Sequence, residues 1–176
     1  YSMNKEDIWV SSVSVPVTSP ENQEVNDVFN EMKPGEELNR WNIYSPVWAP
    51  ARIEKDGENV RYLVLRDKDR YDFSKAERIF KTSKKIKIDF NIKPMQDNGL
   101  LYIEIHDRKG EAAVTMLFDE QGRLSISNKQ GMNGFGTYKP GVFNNVELNI
   151  DSEGFYSVSF NDKELTNLRL SSFYLE

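Results

Sequence analysis

The sequence has no cysteine and one histidine among its 176 residues. The first absence excludes disulfides, thiolate metal sites and cysteine nucleophiles. The second excludes a metal centre built from several histidines. No apolar run approaches the ~18 residues that a membrane-crossing helix requires. Basic residues are not in excess: 23 Lys and Arg stand against 28 Asp and Glu, for a net charge of −5. The cations are spread along the chain, so neither a nucleic-acid stripe nor a polybasic membrane patch is expected. Stretches of ten or more residues with helical periodicity are also missing, which argues against a parallel α/β sheet. No signal-peptide pattern opens the chain. It starts at Tyr1 rather than Met and reads as a segment cut from a longer protein.

What is present is a globular balance, with 38% apolar, 29% charged and 12% aromatic residues. A chain of this length buries roughly 70% of its unfolded surface and needs no staples. From residue 84 onward the pattern has period two. In Ile86-Lys87-Ile88-Asp89-Phe90-Asn91-Ile92 every second residue is apolar. Successive strand side chains point to opposite faces, so this is a half-buried strand of an antiparallel sheet. Leu100 to Asp107, Ala112 to Phe118, Leu124 to Ile126, Val146 to Ile150 and Tyr156 to Phe160 continue the pattern. Asp-, Asn- and Gly-containing turns separate them. The expected fold is all-β, an antiparallel β-sandwich with at most one or two short helices.

Residues 1–80 are less regular. Trp9 to Val17, Leu38 to Tyr44 and Arg61 to Arg66 read as strands. Val25, Val28, Phe29 and Met32 suggest one helical turn within a polar loop, and Ser74-Lys75-Ala76-Glu77 fits a capping box that predicts a short helix to about Phe80. The expected organisation is a closing strand or linker over 1–18, a polar loop over 19–37 and the sandwich over 38–176.

Candidate chemistry is thin. Sandwich glycosidases commonly place paired carboxyl groups in a Glu-x-Asp-x-x-Glu run. Here Glu104 is followed at those positions by His106 and Lys109, so the pattern fails. Glu104 and His106 share a strand face and suit either a sugar contact or an ordinary solvated sheet edge. A hydrolase built on Glu104 would need a second carboxylate such as Asp89 or Glu147. Asp67, Asp69 and Asp72 lie within six residues and suggest a structural calcium, although the spacing departs from the EF-hand loop and Lys68 and Arg70 offer alternative partners. No other cofactor is indicated. Gly131, Gly134 and Gly136 do not match the GxGxxG phosphate-binding spacing.

Aromatics offer a binding chemistry. Trp41, Tyr44 and Trp48 crowd into eight residues with Pro46 and Pro50. Phe135 and Tyr138 lie in the glycine-rich loop Gly131 to Tyr138. Exposed rings of this kind stack on the apolar C–H face of a sugar. Equally, they serve as core, or as packing against a neighbouring domain.

Two stretches go beyond generic pattern. Residues 84–165 resemble laminin-G-like and concanavalin-A-like (jelly-roll) sandwiches, in the run Gly99-Leu100-Leu101-Tyr102-Ile103-Glu104-Ile105, in Tyr138-Lys139-Pro140-Gly141-Val142-Phe143 and in Tyr156-Ser157-Val158-Ser159-Phe160. Tyr1 to Val10 resembles the closing strand of a sialidase-like (BNR-type) propeller. Trp41 to Pro50 and Leu65 to Asp72 resemble the sandwich that follows such propellers in bacterial exported glycan-degrading proteins. The resemblance implies an accessory domain outside the cytoplasm, with a glycan and the preceding propeller as partners. It carries over no catalytic residue, because the Ser-x-Asp-x-Gly-x-x-Trp box is absent. A carbohydrate-binding module, a hydrolase through Glu104 and a purely structural domain therefore all stand as readings of the sequence.

Overall fold

The computed structural model describes residues 2–3, 7–8, 24–35, 38, 40–95 and 98–172. The chain divides into two compact units, Tyr1–Lys81 and Thr82–Glu176. The strand expected over Trp9 to Val17 lies outside the described residues, as do residues 19–23, 36 and 37 of the loop expected over 19–37.

The first unit is built from paired strands. β1 (Ser2–Met3) pairs with β2 (Asp7–Ile8), β3 (Trp41–Tyr44) with β6 (Lys75–Arg78), and β4 (Ala51–Lys55) with β5 (Arg61–Leu65), all antiparallel. A single 3₁₀ turn, η1 (Phe29–Glu31), falls within the apolar cluster expected to be helical. Arg61 fastens it to β5: its guanidinium donates to the carbonyls of Asn30 and Met32, and its N–H donates to Asn30 Oδ1. Ser74 to Phe80 is not the helix that the capping box predicts. A helix of one or two turns lies below the length at which nucleation is repaid. Pairing of Lys75–Arg78 with β3 supplies the backbone partners instead. β4 escapes the sequence pattern because its inward positions are Ala51 and Ile53, only one of them bulky.

The second unit is an antiparallel β-sandwich, as expected. β7 (Ile86–Ile92) starts one sheet. The chain then crosses to lay down β8 (Leu101–His106), β9 (Ala112–Phe118), β10 (Arg123–Asn128) and β11 (Gly131–Thr137) as a meander. It returns for β12 (Asn144–Ile150), β13 (Phe155–Phe160) and β14 (Lys163–Arg169), and β12 pairs with β7. The sheet orders are β11-β10-β9-β8 and β14-β13-β12-β7. Gly131 to Tyr138, read from sequence as a glycine-rich loop, is mostly the edge strand β11. Six register pairs with β10 hold it extended despite its glycines.

Between the sheets lies one core. Val114, Met116, Phe118, Leu124 and Ile126 come from one sheet; Val146, Leu148, Val158 and Phe160 come from the other. Phe118 stands edge-on to both Phe160, 6.0 Å away, and Tyr138, 5.4 Å away, so it joins the two sheets. Ile86, Ile88, Phe90 and Ile92 pack against this core while Lys87, Asp89 and Asn91 face solvent. Three of the sandwich's hairpins turn on one device. In Asp107–Gly110, Asp119–Gly122 and Asp151–Gly154 the first Asp accepts N–H bonds from residues two and four further on, and a glycine takes positive φ. Only glycine fits at Gly122, where an added Cβ would stand 2.8 Å from the Tyr138 carbonyl oxygen.

Candidate functional site

In the first unit, β3 alternates. Trp41 and Ile43 face inward, while Asn42 and Tyr44 face outward. The Trp41 indole donates to Asp27 Oδ2 at 3.1 Å, and Arg78 Nε donates to the same oxygen at 2.8 Å. With Phe29 5.8 Å away, the Trp41 ring is committed to packing.

Tyr44 is different. It is 47% exposed, and its hydroxyl donates to Asp72 Oδ2 at 2.7 Å. That bond to a carboxylate, reinforced by desolvation, pushes the phenol pKa above its ordinary value. Phe73, 57% exposed, lies 5.5 Å from the Tyr44 ring. After Tyr44 the chain enters a turn closed by the Ala49 N–H to the Pro46 carbonyl, and Ser45 Oγ accepts from the Ala51 N–H. Ala49 is fully buried, which anchors the turn and projects Trp48, 69% exposed, from it. The carbonyls of Trp48 and Pro50 accept from the N–H groups of Lys68 and Arg66, so the Trp48 turn is tied to the segment that leads to Asp72 and Phe73. Tyr44 and Phe73 thus present adjacent exposed rings beside the Asp72 carboxylate, and exposed Trp48 projects from a turn fastened to the segment that leads to them.

The acidic run serves its own loop. Asp67 Oδ1 accepts from the Asp69 N–H, Asp69 Oδ1 from the Tyr71 N–H, and Asp72 Oδ1 from the Phe73 N–H. Asp67, Asp69 and Asp72 do not converge on a point. Among the described residues no group of three or more His, Cys, Asp or Glu is placed to hold a metal ion. Asp72 remains available to a ligand, because each carboxylate oxygen keeps a further lone pair.

The second unit separates the other candidates. Tyr138 is buried, with its hydroxyl donating to the Asp119 carbonyl. Phe135 packs on Phe160 at the rim of the core. Glu104 and His106 are exposed on the outer face of β8, 3.0 Å apart. Asp89 and Glu147 are register partners on the outer face of the opposite sheet. Packed sheets stand ~10 Å apart before outward side chains are added, so Glu104 and either of these acids are turned away from one another across the core. Glu147 is moreover held below its ordinary pKa by the Asn149 amide and the Lys87 ammonium, the reverse of what a proton-donating acid requires. A recess of about 210 Å³ is lined by Lys129, Glu153, Arg169 and Ser171, among others.

The apposition of Phe73 and of the Asp72 carboxylate to Tyr44 is not evident in the sequence. Tyr71-Asp72-Phe73 is aromatic enough to draw notice, but its apposition to Tyr44 depends on the pairing of β3 with β6. No helix among the described residues is long and apolar enough to cross a membrane.

Residues 41–174 match the family model described as "Sialidase-like, CBM domain". Among solved structures, the chain is similar to one titled "Sialidase", with 27% identity and a TM-score of 0.75. The match covers 84% of this chain and 13% of that one, so this chain spans a small part of that protein's length. No curated protein matches.

Proposed function

The chain belongs to the sialidase-like CBM domain family, and from that premise we propose that it is a non-catalytic accessory module that binds glycan through Tyr44, Trp48 and Phe73. The observation that carries the reading is Trp48, a large ring left 69% exposed on a turn whose backbone is pinned on both sides. A preorganised aromatic surface loses little entropy when a sugar stacks on it. Asp72, hydrogen-bonded to the Tyr44 hydroxyl, offers an acceptor for a sugar hydroxyl. The separation of Glu104 from Asp89 and Glu147 favours binding over bond breaking. By likeness to the far longer sialidase, the module works outside the cytoplasm beside a catalytic propeller of the same protein.

A glycan array probed with this chain tests the proposal. Retention of a defined set of glycans is expected, and Trp48→Ala should weaken it about tenfold, the worth of one stacked ring. Silence across the array, or glycan cleavage by this chain alone, would overturn the proposal.

A further inference from the structure

We propose that the outer face of the β8–β11 sheet is a second carbohydrate site, in which Tyr102 stacks on an uncharged sugar and Glu104, braced by His106, accepts its hydroxyls. The proposal rests on the carbohydrate reading above but uses none of the residues around Trp48.

Three consecutive outward positions of edge strand β8 are Tyr102, Glu104 and His106, while Leu101, Ile103 and Ile105 point into the core. Successive outward residues stand ~7 Å apart along a strand, so the three cover a length suited to two linked pyranose rings. Tyr102 is 52% exposed, and its hydroxyl makes no hydrogen bond within the described residues. His106 Nε2 lies 3.0 Å from Glu104 Oε2, which fixes the carboxylate on the same face as the ring. Across the sheet the register sets Tyr102 beside Leu117, Leu117 beside Ser125 and Ser125 beside Gly134. The surface therefore steps down from the tyrosine ring to a bare backbone, which leaves room for a flat sugar ring against its side.

Charge selects the class of sugar. Glu104 lies opposite Thr115, and no Lys or Arg stands in its row or in that of Tyr102. On the other sheet, by contrast, Lys87 neutralises Glu147. Where the His106 imidazole 3.0 Å away is neutral, the Glu104 carboxylate accepts hydroxyls and repels an acidic sugar. An aromatic ring beside it fits a hexose with a continuous apolar C–H face, such as galactose.

The lone histidine provides the test, because its ring gives one unambiguous set of ¹H–¹³C signals. Lactose, and each glycan retained on the array, would be titrated into the chain while the His106 ring and the tryptophan indoles are followed. The His106 signals are expected to move with lactose and to move still in Trp48→Ala. Tyr102→Ala should raise the lactose dissociation constant about tenfold, and Glu104→Gln should weaken binding while leaving the exposed ring in place. Sialyllactose, which adds a carboxylate, should move them less at equal concentration; an equal response would overturn the uncharged class. If an indole moves and His106 stays fixed, this second site is overturned and the Trp48 reading survives. If neither moves with any glycan, both fall.

Discussion

Replacing Asp27 with Ala would expose how the first unit holds itself together. The Asp27 and Arg78 side chains are only 15% and 8% exposed, and the Trp41 indole shares the same carboxylate oxygen. Arg78 Nη2 already lacks a hydrogen-bond partner among the described residues. Removing the carboxylate strands a buried guanidinium and an indole N–H together. Breaking a buried pair from one side costs ~3–5 kcal/mol, and the residual exposure of Asp27 places this case near ~3. The first unit, 81 residues long, has a total stability of about 4–12 kcal/mol. A urea slope of ~1 kcal/mol/M converts the loss into a midpoint lowered by about 3 M. All three tryptophans, Trp9, Trp41 and Trp48, fall in this unit, so their fluorescence follows its unfolding without interference from the sandwich. The double variant Asp27→Ala/Arg78→Met removes the stranded cation and should recover more than half of the loss. A single variant within ~1 kcal/mol of the parent, or a double variant at the sum of its parts, would refute the buried-pair argument.

Other perturbations address the sandwich. Phe118→Ala removes a fully buried ring that touches both Tyr138 and Phe160, and should cost ~3–5 kcal/mol in unfolding followed on sandwich amide resonances. Gly122→Ala should destabilise by ~1–3 kcal/mol, since its φ of +73° and the Tyr138 carbonyl both oppose a Cβ, whereas Gly134→Ala, with open space around it, should be near neutral in the same melt. Asp151 is held below its ordinary pKa by the N–H groups of Phe155 and Glu153, against desolvation. Its folded value is depressed, so its stabilisation is whole above the unfolded carboxylate value of ~3.9 and fades as pH falls through the lower folded value. The sandwich's urea midpoint should drop in that acid window, and Asp151→Asn should flatten the drop.

Much of the sandwich was legible because period-two alternation is a local signal. Ile86 to Ile92 shows it on both faces, and the three Asp-to-Gly turns mark hairpins by short-range chemistry alone. β11 was hidden because its extended form comes from pairing with β10 rather than from its glycines. At β6 the four-residue capping signal loses to backbone pairing with β3. The candidate site divides along the same line. Tyr44 and Trp48 stood out by local crowding, but nothing in the sequence separates exposed Trp48 from Trp41, whose partner Asp27 is 14 residues away. Tyr138 looked like a loop aromatic and is core because it closes over Phe118. Phe73 and Tyr102 acquire meaning only through the neighbours that strand pairing supplies.

A sugar bound to the module meets the Trp48 ring, and the indole region of a ¹H–¹⁵N spectrum reads this directly. Adding a glycan retained on the array should shift the Trp48 indole signal, identified by its loss in Trp48→Ala, and leave the Trp41 signal in place on Asp27. An unmoved Trp48 signal at saturating glycan, or a shift confined to Trp41, would contradict the account.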